Sequence, residues 1–162
     1  GGPGLEKCFT LLKEHSIRPA ADQRALLGWT IFNVLIGNAD AHAKNLSILF
    51  TDKGPRLAPF YDLLSTQVYP NLAEKLAMKI GGENRAGWLH ARNWERFADG
   101  VSLKRRYVLS TVRGMADKIV SVAEPIAGSF AEAHDGERIV GRIMALLRKR
   151  ARTLVQVIDS TA

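Results

Sequence analysis

Cysteine is nearly absent: Cys8 is the single thiol in 162 residues, so neither an internal disulfide nor a thiolate metal cage can form within the chain. At an apolar helical position it reads as a small core residue, and redox chemistry drops out. Long apolar runs are missing too. No stretch approaches the roughly 20 residues that a membrane-spanning helix needs. The opening GGPGLEKCF has neither the charged start nor the apolar centre of a signal peptide. The expectation is a cytoplasmic protein without membrane contact.

Acidic residues are the scarcer charge. Against 23 Lys and Arg stand 16 Asp and Glu, a formal net charge of +7, which attracts polyanions over long range. Much of the excess sits in LKRRY (103–107) and LRKRAR (147–152). No aromatic residues interleave with these charges as a base-stacking platform requires. The two runs therefore read as solvated helix faces, with direct nucleic-acid contact the lesser alternative. What is present, 46% hydrophobic and 24% charged residues, is the balance of one globular domain large enough to bury a core. The chain has no internal repeat and no low-complexity tract.

Apolar spacing orders the rest. Leu5, Phe9, Leu11 and Leu12 predict a short first helix, closed by HSIRPAAD, where Pro19 acts as a breaker and Asp22 as a cap for the next. From Gln23 to Ile36, apolar residues cover most of a helix's circumference, as in a helix buried inside a domain. Gly37 suits a left-handed cap at its end. NLSILF (45–50), the turn signal TDKGP and RLAPF (56–60) predict a hairpin, with Pro59 at an edge or end. Leu76, Met78 and Ile80 alternate as a strand would. ARNWERFADG predicts a helix with Trp94 and Phe97 inward, SLKRRYVLSTVRGMADKIVSVAEP a longer one stopped at Pro125, and GERIVGRIMALLRKRARTLVQVID a long terminal one. Trp29, Trp88 and Trp94 read as core or half-buried anchors. The expected fold class is mainly α, a helical bundle with a small β-hairpin.

GNADAHAKN (37–45) crowds Asn38, Asp40, His42, Lys44 and Asn45 directly behind the apolar WTIFNVLI. In an antiparallel hairpin the residue entering the first strand lies beside the residue leaving the second, which makes Asn45 and Asp62 neighbours at the open end. Asp40 hangs from the loop leading into the same end. Three oxygen-bearing side chains then converge, a ligand set for a hard cation such as Mg²⁺ that keeps waters and also holds substrate phosphates. Phosphoryl transfer gives the spacing meaning. Protein kinases carry a catalytic-loop Asp, a metal-binding Asn five positions on and, past a hairpin, a second Asp that holds the metals. Asp40, Asn45 and Asp62 follow that order. Taken singly, Asp40 would more often cap a loop and Asn38 serve a turn; the full constellation favours catalysis. His42 reads as hydrogen-bonding support for the cofactor site more than as a ligand, because Mg²⁺ prefers oxygen. Tyr61 and Ser65 read as packing and local hydrogen bonding.

The strings FNVLIGNADAHAKNLSILF, RLAPFYDLLST and LAMKIGG resemble the HipA family of bacterial serine/threonine kinases, the toxin halves of HipBA toxin–antitoxin pairs. The resemblance runs from GGPGL to at least WERFA. It implies a protein-kinase-like C-terminal lobe over residues 1–162, ATP and Mg²⁺ as cofactors, and phosphorylation of a protein hydroxyl. It further implies an aminoacyl-tRNA synthetase as the kind of target and a HipB-like DNA-binding antitoxin as partner. Carried over, Asp40 is the base or orienting group for the attacking hydroxyl, Asn45 a Mg²⁺ ligand and Asp62 the main one. Lys44 would neutralise charge on the transferred phosphate. Ordinary protein kinases have histidine where Asn38 stands, often lysine at His42, and Phe-Gly in place of Leu63 and Leu64, so their activation-loop switch is not assumed. A kinase also needs a phosphate-covering loop and a strand lysine. GGPG lacks the spacing of such a loop, and no lysine-bearing strand comes after it. The expectation is a lobe that works with an N-terminal lobe in cis or in trans. The alternative is a non-catalytic module that binds an antitoxin or nucleic acid through its basic helices. A small-molecule kinase of the aminoglycoside type shares the acidic spacing but lacks GNADAHAKN and LAPFYDLLS.

Overall fold

A helix that is apolar on every side has to be covered on every side, and that requirement organises the molecule. The computed structural model describes residues 2–134 and 137–160. Helices α1 (Leu5–His15) and α2 (Pro19–Ile36) come first. Two separate antiparallel hairpins come next, β1 (Ile48–Thr51) with β2 (Gly54–Leu57) and β3 (Lys75–Ile80) with β4 (Glu83–Arg85). Helices α3 (Ala91–Gly100), α4 (Arg105–Ala133) and α5 (Glu137–Asp159) complete the fold. The fold is mainly helical, as its apolar spacing predicts, but it has two small hairpins where the spacing predicts one, because β3 finds its partner β4 across the Gly81–Gly82 turn.

Helix α2 is the axis. Leu26, Leu27, Trp29, Ile31, Val34 and Leu35 are buried, with α1, α4 and α5 packed around them. Helices α4 and α5 pack antiparallel along their length, with Arg113 paired to Asp159 and Arg148 to Glu124 across them. On α3, Trp94 and Phe97 point inward, and Phe97 meets Phe9 edge-on at 5.6 Å. Strand β3 alternates as expected, burying Leu76, Met78 and Ile80. Cys8 is half-buried against the core, and that burial pushes its thiol up. No helix among the described residues is long and apolar enough to cross a membrane.

Four local readings are corrected. Pro19 opens α2 instead of breaking the chain before it, because the first helical position needs no N–H and its fixed φ suits the helix. Asp22 is consequently no cap but a buried residue of the first turn, receiving hydrogen bonds from Ser16 Oγ at 2.6 Å, Arg56 at 2.7 Å and Leu57 N–H at 3.0 Å. Pro125 does not stop α4, which runs on to Ala133. The missing N–H would have served the carbonyl of Ser121 on the exposed face, where water can take it. Trp88 is 58% exposed, because it sits on a single 3-10 turn between β4 and α3 and not on the inner face of a helix.

The first hairpin is shorter than 45–50 with 56–60. Ile48 pairs with Leu57 and Thr51 with Gly54, and Asn45 already belongs to a 3-10 turn, Ala43–Asn45. Beyond the strands one further bond, Ala58 N–H to Ser47 C=O at 2.9 Å, precedes Pro59, which has no N–H to offer. At the other end of α2, Gly37 adopts φ +71°, with Asn38 N–H returning to Asn33 C=O at 2.9 Å. This left-handed close ends the helix and throws the chain into the polar loop.

Candidate active site

Asn45 is buried at the end of its 3-10 turn. Its carboxamide oxygen accepts the His42 N–H at 3.0 Å, and its amide nitrogen donates to Asp62 Oδ2. The open end of the hairpin thus holds Asn45 and Asp62 in direct contact. Asp62 has φ +57°, the left-handed region that Asp and Asn tolerate better than other side chains. In that conformation its backbone carbonyl accepts a hydrogen bond from Asn38 Nδ2 at 3.1 Å.

Asn38 is the residue the sequence undersold as a turn former. It is buried, its Oδ1 accepts the Asp40 N–H at 3.1 Å, and its Nδ2 also donates to Asn33 Oδ1 at 2.9 Å. Asn33 in turn donates to Trp29 C=O at 2.8 Å. A relay of carboxamides therefore runs from the buried helix to both acidic residues. The available signal was Asn33 itself: a polar residue inside an otherwise apolar run needs buried partners. Further ties fix the loop. Thr66 Oγ1 accepts the Ala39 N–H at 2.8 Å, Ser65 Oγ donates to Ile36 C=O at 2.6 Å, and Ala77 N–H of β3 donates to Ala39 C=O at 3.0 Å.

Asp40 itself stays open. Its side chain is 71% exposed and His42 Nε2 lies 3.8 Å from its carboxylate; no hydrogen bond joins that carboxylate to Asn45 or Asp62. His42 Nδ1 is enclosed without a hydrogen-bond partner. Lys44 is exposed, and its carbonyl accepts the Tyr61 hydroxyl at 2.9 Å. Tyr61 also meets Ser47 Oγ at 3.1 Å.

The donor chemistry suits a hard cation. The exposed Asp62 offers carboxylate oxygen, Asn45 offers the remaining lone pair of an oxygen held by the His42 N–H, and among the described residues no three of His, Cys, Asp and Glu cluster as a cage. A cation at this pair would complete its shell with waters and phosphate oxygens, the habit of Mg²⁺ and not of structural Zn²⁺.

Comparison with known proteins identifies the family. Residues 2–123 match the HipA-like C-terminal domain family. The chain belongs to that family. It is 41% identical over 150 residues to Y4mE of Sinorhizobium fredii, whose name calls it a kinase, covering 88% of this chain and 36% of that one. It is 38% identical over 126 residues to the serine/threonine-protein kinase toxin HipA of Shewanella oneidensis, covering 77% of this chain and 29% of that one. The structure of a Shewanella oneidensis HipA, solved with HipB and operator DNA, superposes with a TM-score of 0.87 at 31% identity, over 98% of this chain and 37% of that one. The HipA-like domain thus spans about a third of the length of the relatives it matches. Its match continues past WERFA into α4, although the basic helices carry no recognisable string.

Proposed function

We propose that this HipA-like domain is the catalytic lobe of a serine/threonine protein kinase. Asp40 orients the attacking hydroxyl and takes its proton as the oxygen joins the γ-phosphorus of ATP and the bond to ADP breaks. Asn45 and Asp62 would hold Mg²⁺, which when bound would supply positive charge against that developing on the phosphates. Lys44, exposed and lying between Asp40 and Asn45 in sequence, supplies positive charge at the transferred group. His42 supports the Asp40 end of the loop.

The direct contact between Asn45 and Asp62 carries this reading, because an asparagine and an aspartate 17 positions apart are brought together at an exposed edge with Asp40 tethered to the same Asp62 through Asn38. The kinase names of the relatives support it. The Shewanella assembly with HipB supports a HipB-like antitoxin as partner, and the family resemblance suggests a protein substrate such as an aminoacyl-tRNA synthetase, in the cytoplasm. Since phosphate-covering parts are needed as well, the active unit pairs this lobe with an N-terminal one, in cis or in trans. The module without catalysis is less favoured: Arg105, Arg113 and Arg148 of the basic helices are engaged with Asp99, Asp117, Asp159 and Glu124.

The test is calorimetric titration with ATP, with and without Mg²⁺, and then phosphotransfer from radiolabelled ATP, on the lobe combined with its N-terminal counterpart. Mg²⁺-dependent binding and transfer are expected, with Asp40→Ala abolishing transfer and leaving binding in place. Strong salt-dependent binding of DNA with no Mg²⁺-dependent nucleotide binding would overturn the proposal.

A further inference from the structure

Arg150 on α5 lines a pocket of about 320 Å³ together with Gln67, Arg85, Trp88 and Leu146. Its charge is unanswered. Among the described residues Arg150 meets no carboxylate, and it is half-buried where the other arginines without one are exposed. One hydrogen bond, to Gln67 Oε1 at 3.1 Å, holds it, and its Nε is buried without an acceptor. Burial pushes the guanidinium down from its ordinary value. A cation withdrawn from water without a counter-ion carries a desolvation penalty that an incoming anion relieves.

The rest of the pocket narrows the anion. A Cβ on Gly87 would lie 3.2 Å from Arg150 Nη1, so the missing side chain leaves room at the guanidinium. Arg85 lies 3.4 Å over the exposed Trp88 ring, but its charge is matched by Glu83 at 3.0 Å. Glu74 also lines the pocket and would repel a doubly charged phosphate more than a single carboxylate. Ala86, Trp88 and Leu146 add apolar wall, which fits an aliphatic stem. Exposed Trp beside a desolvated Arg is the chemistry that dominates protein–protein contacts.

We propose that this pocket docks a polypeptide segment that presents a carboxylate, its oxygens pairing with Arg150 and its stem packing on Trp88 and Leu146. The site sits directly behind the polar loop. Gln67 N–H donates to Gly37 C=O at 3.0 Å, and a Cβ on Gly37 would come within 2.5 Å of Leu146 Cδ2. The proposal stands independently of phosphotransfer.

Trp88 is the reporter, since Trp29 and Trp94 are buried. The chain is titrated with acetyl-Gly-Leu-Glu-Leu-Gly-amide, its Gln counterpart, and inorganic phosphate, monitored by fluorescence and calorimetry. The Glu peptide is expected to bind at least ten-fold more tightly than the Gln peptide. Arg150→Gln is expected to weaken the Glu peptide at least ten-fold, with Arg150→Lys recovering part of the loss. Gly87→Leu, which keeps the charge but sets a side chain against the Arg150 guanidinium and fills the pocket, abolishes binding, and Trp88→Phe removes the fluorescence response while calorimetry still records the peptide. Equal binding of the two peptides, no binding of the Glu peptide, or unchanged binding by Gly87→Leu overturns the proposal. Phosphate outcompeting the Glu peptide at equal concentration overturns it in favour of a free anion.

Discussion

Asp22 and Asp62 stand near opposite ends of α2, and the fold treats the two carboxylates in opposite ways. Asp22 has a side chain only 3% exposed, and Ser16, Arg56 and the Leu57 N–H all donate to it. It ties the end of α1, the first turn of α2 and the strand β2 together. Asp62 is exposed, with one carboxylate oxygen bonded to Asn45 and its backbone fixed by Asn38. The difference separates two uses of one side chain. An enclosed carboxylate bonded on every side holds structure; one fixed through its backbone keeps oxygen free to meet a ligand.

Exchanging each aspartate for its amide should break the comparison most visibly. Asp62→Asn is expected to lower phosphotransfer by about 10³-fold in kcat/KM, the scale of losing a preorganised electrostatic group. Asparagine accepts the left-handed backbone of that position, so the melting temperature should hold. Asp22→Asn is expected to do the reverse: a loss of about 3 kcal/mol, because Arg56 would keep its place without its counter-charge. For a domain of this size that is a fall of about 10 °C in a thermal melt, with activity per folded molecule retained. A heat-labile Asp62→Asn beside a stable Asp22→Asn would reverse the assignment.

Acid sharpens the same contrast. Burial pushes the Asp22 carboxyl up, but hydrogen bonds from Arg56, Ser16 and the Leu57 N–H outweigh it and hold the carboxyl below its ordinary value. A folded-state pKa lower than the unfolded one stabilises the protein fully above the unfolded value, near about 4, and that stabilisation fades as pH falls through the folded value. Melts of the wild type and Asp22→Asn at pH 7 and below about 4 should therefore converge on acidification. A gap that stays constant over that range would show that Asp22 acts through packing and not through its charge.

The two regions were not equally legible in the sequence. The apolar circumference of Gln23 to Ile36, the alternation of Leu76, Met78 and Ile80, and the order Asp40, Asn45, Asp62 are periodic or spaced signals, and the fold contains the helix, the strand and the Asn45–Asp62 contact they predict. Asp22 was misread because a cap and a buried anchor share the same residue type; what distinguishes them is Arg56, 34 positions away. Asn38 was underread for the same reason, since its partners Asn33 and Asp62 lie on a helix and beyond a hairpin. Pro125 misled in another way: proline marks a lost hydrogen bond, but its exposed setting, visible only in three dimensions, decides whether a helix ends there.

The smallest expected effect tests what makes Asp22 matter. Asp99 is also well bonded, with Arg105 Nη2 at 2.6 Å and Nε at 2.9 Å, and that guanidinium holds its carboxyl below the usual carboxylate range. Both side chains, however, are half in water, at 50% and 59% exposure. Solvent and salt screen such a pair, and releasing it restores side-chain freedom that the pairing had removed. Asp99→Asn is therefore expected to leave the melting temperature unchanged at physiological ionic strength. A fall matching that of Asp22→Asn would make pairing, and not enclosure, the source of stability. Asp62, bonded to Asn45, could then no longer be set apart as a carboxylate the fold can spare.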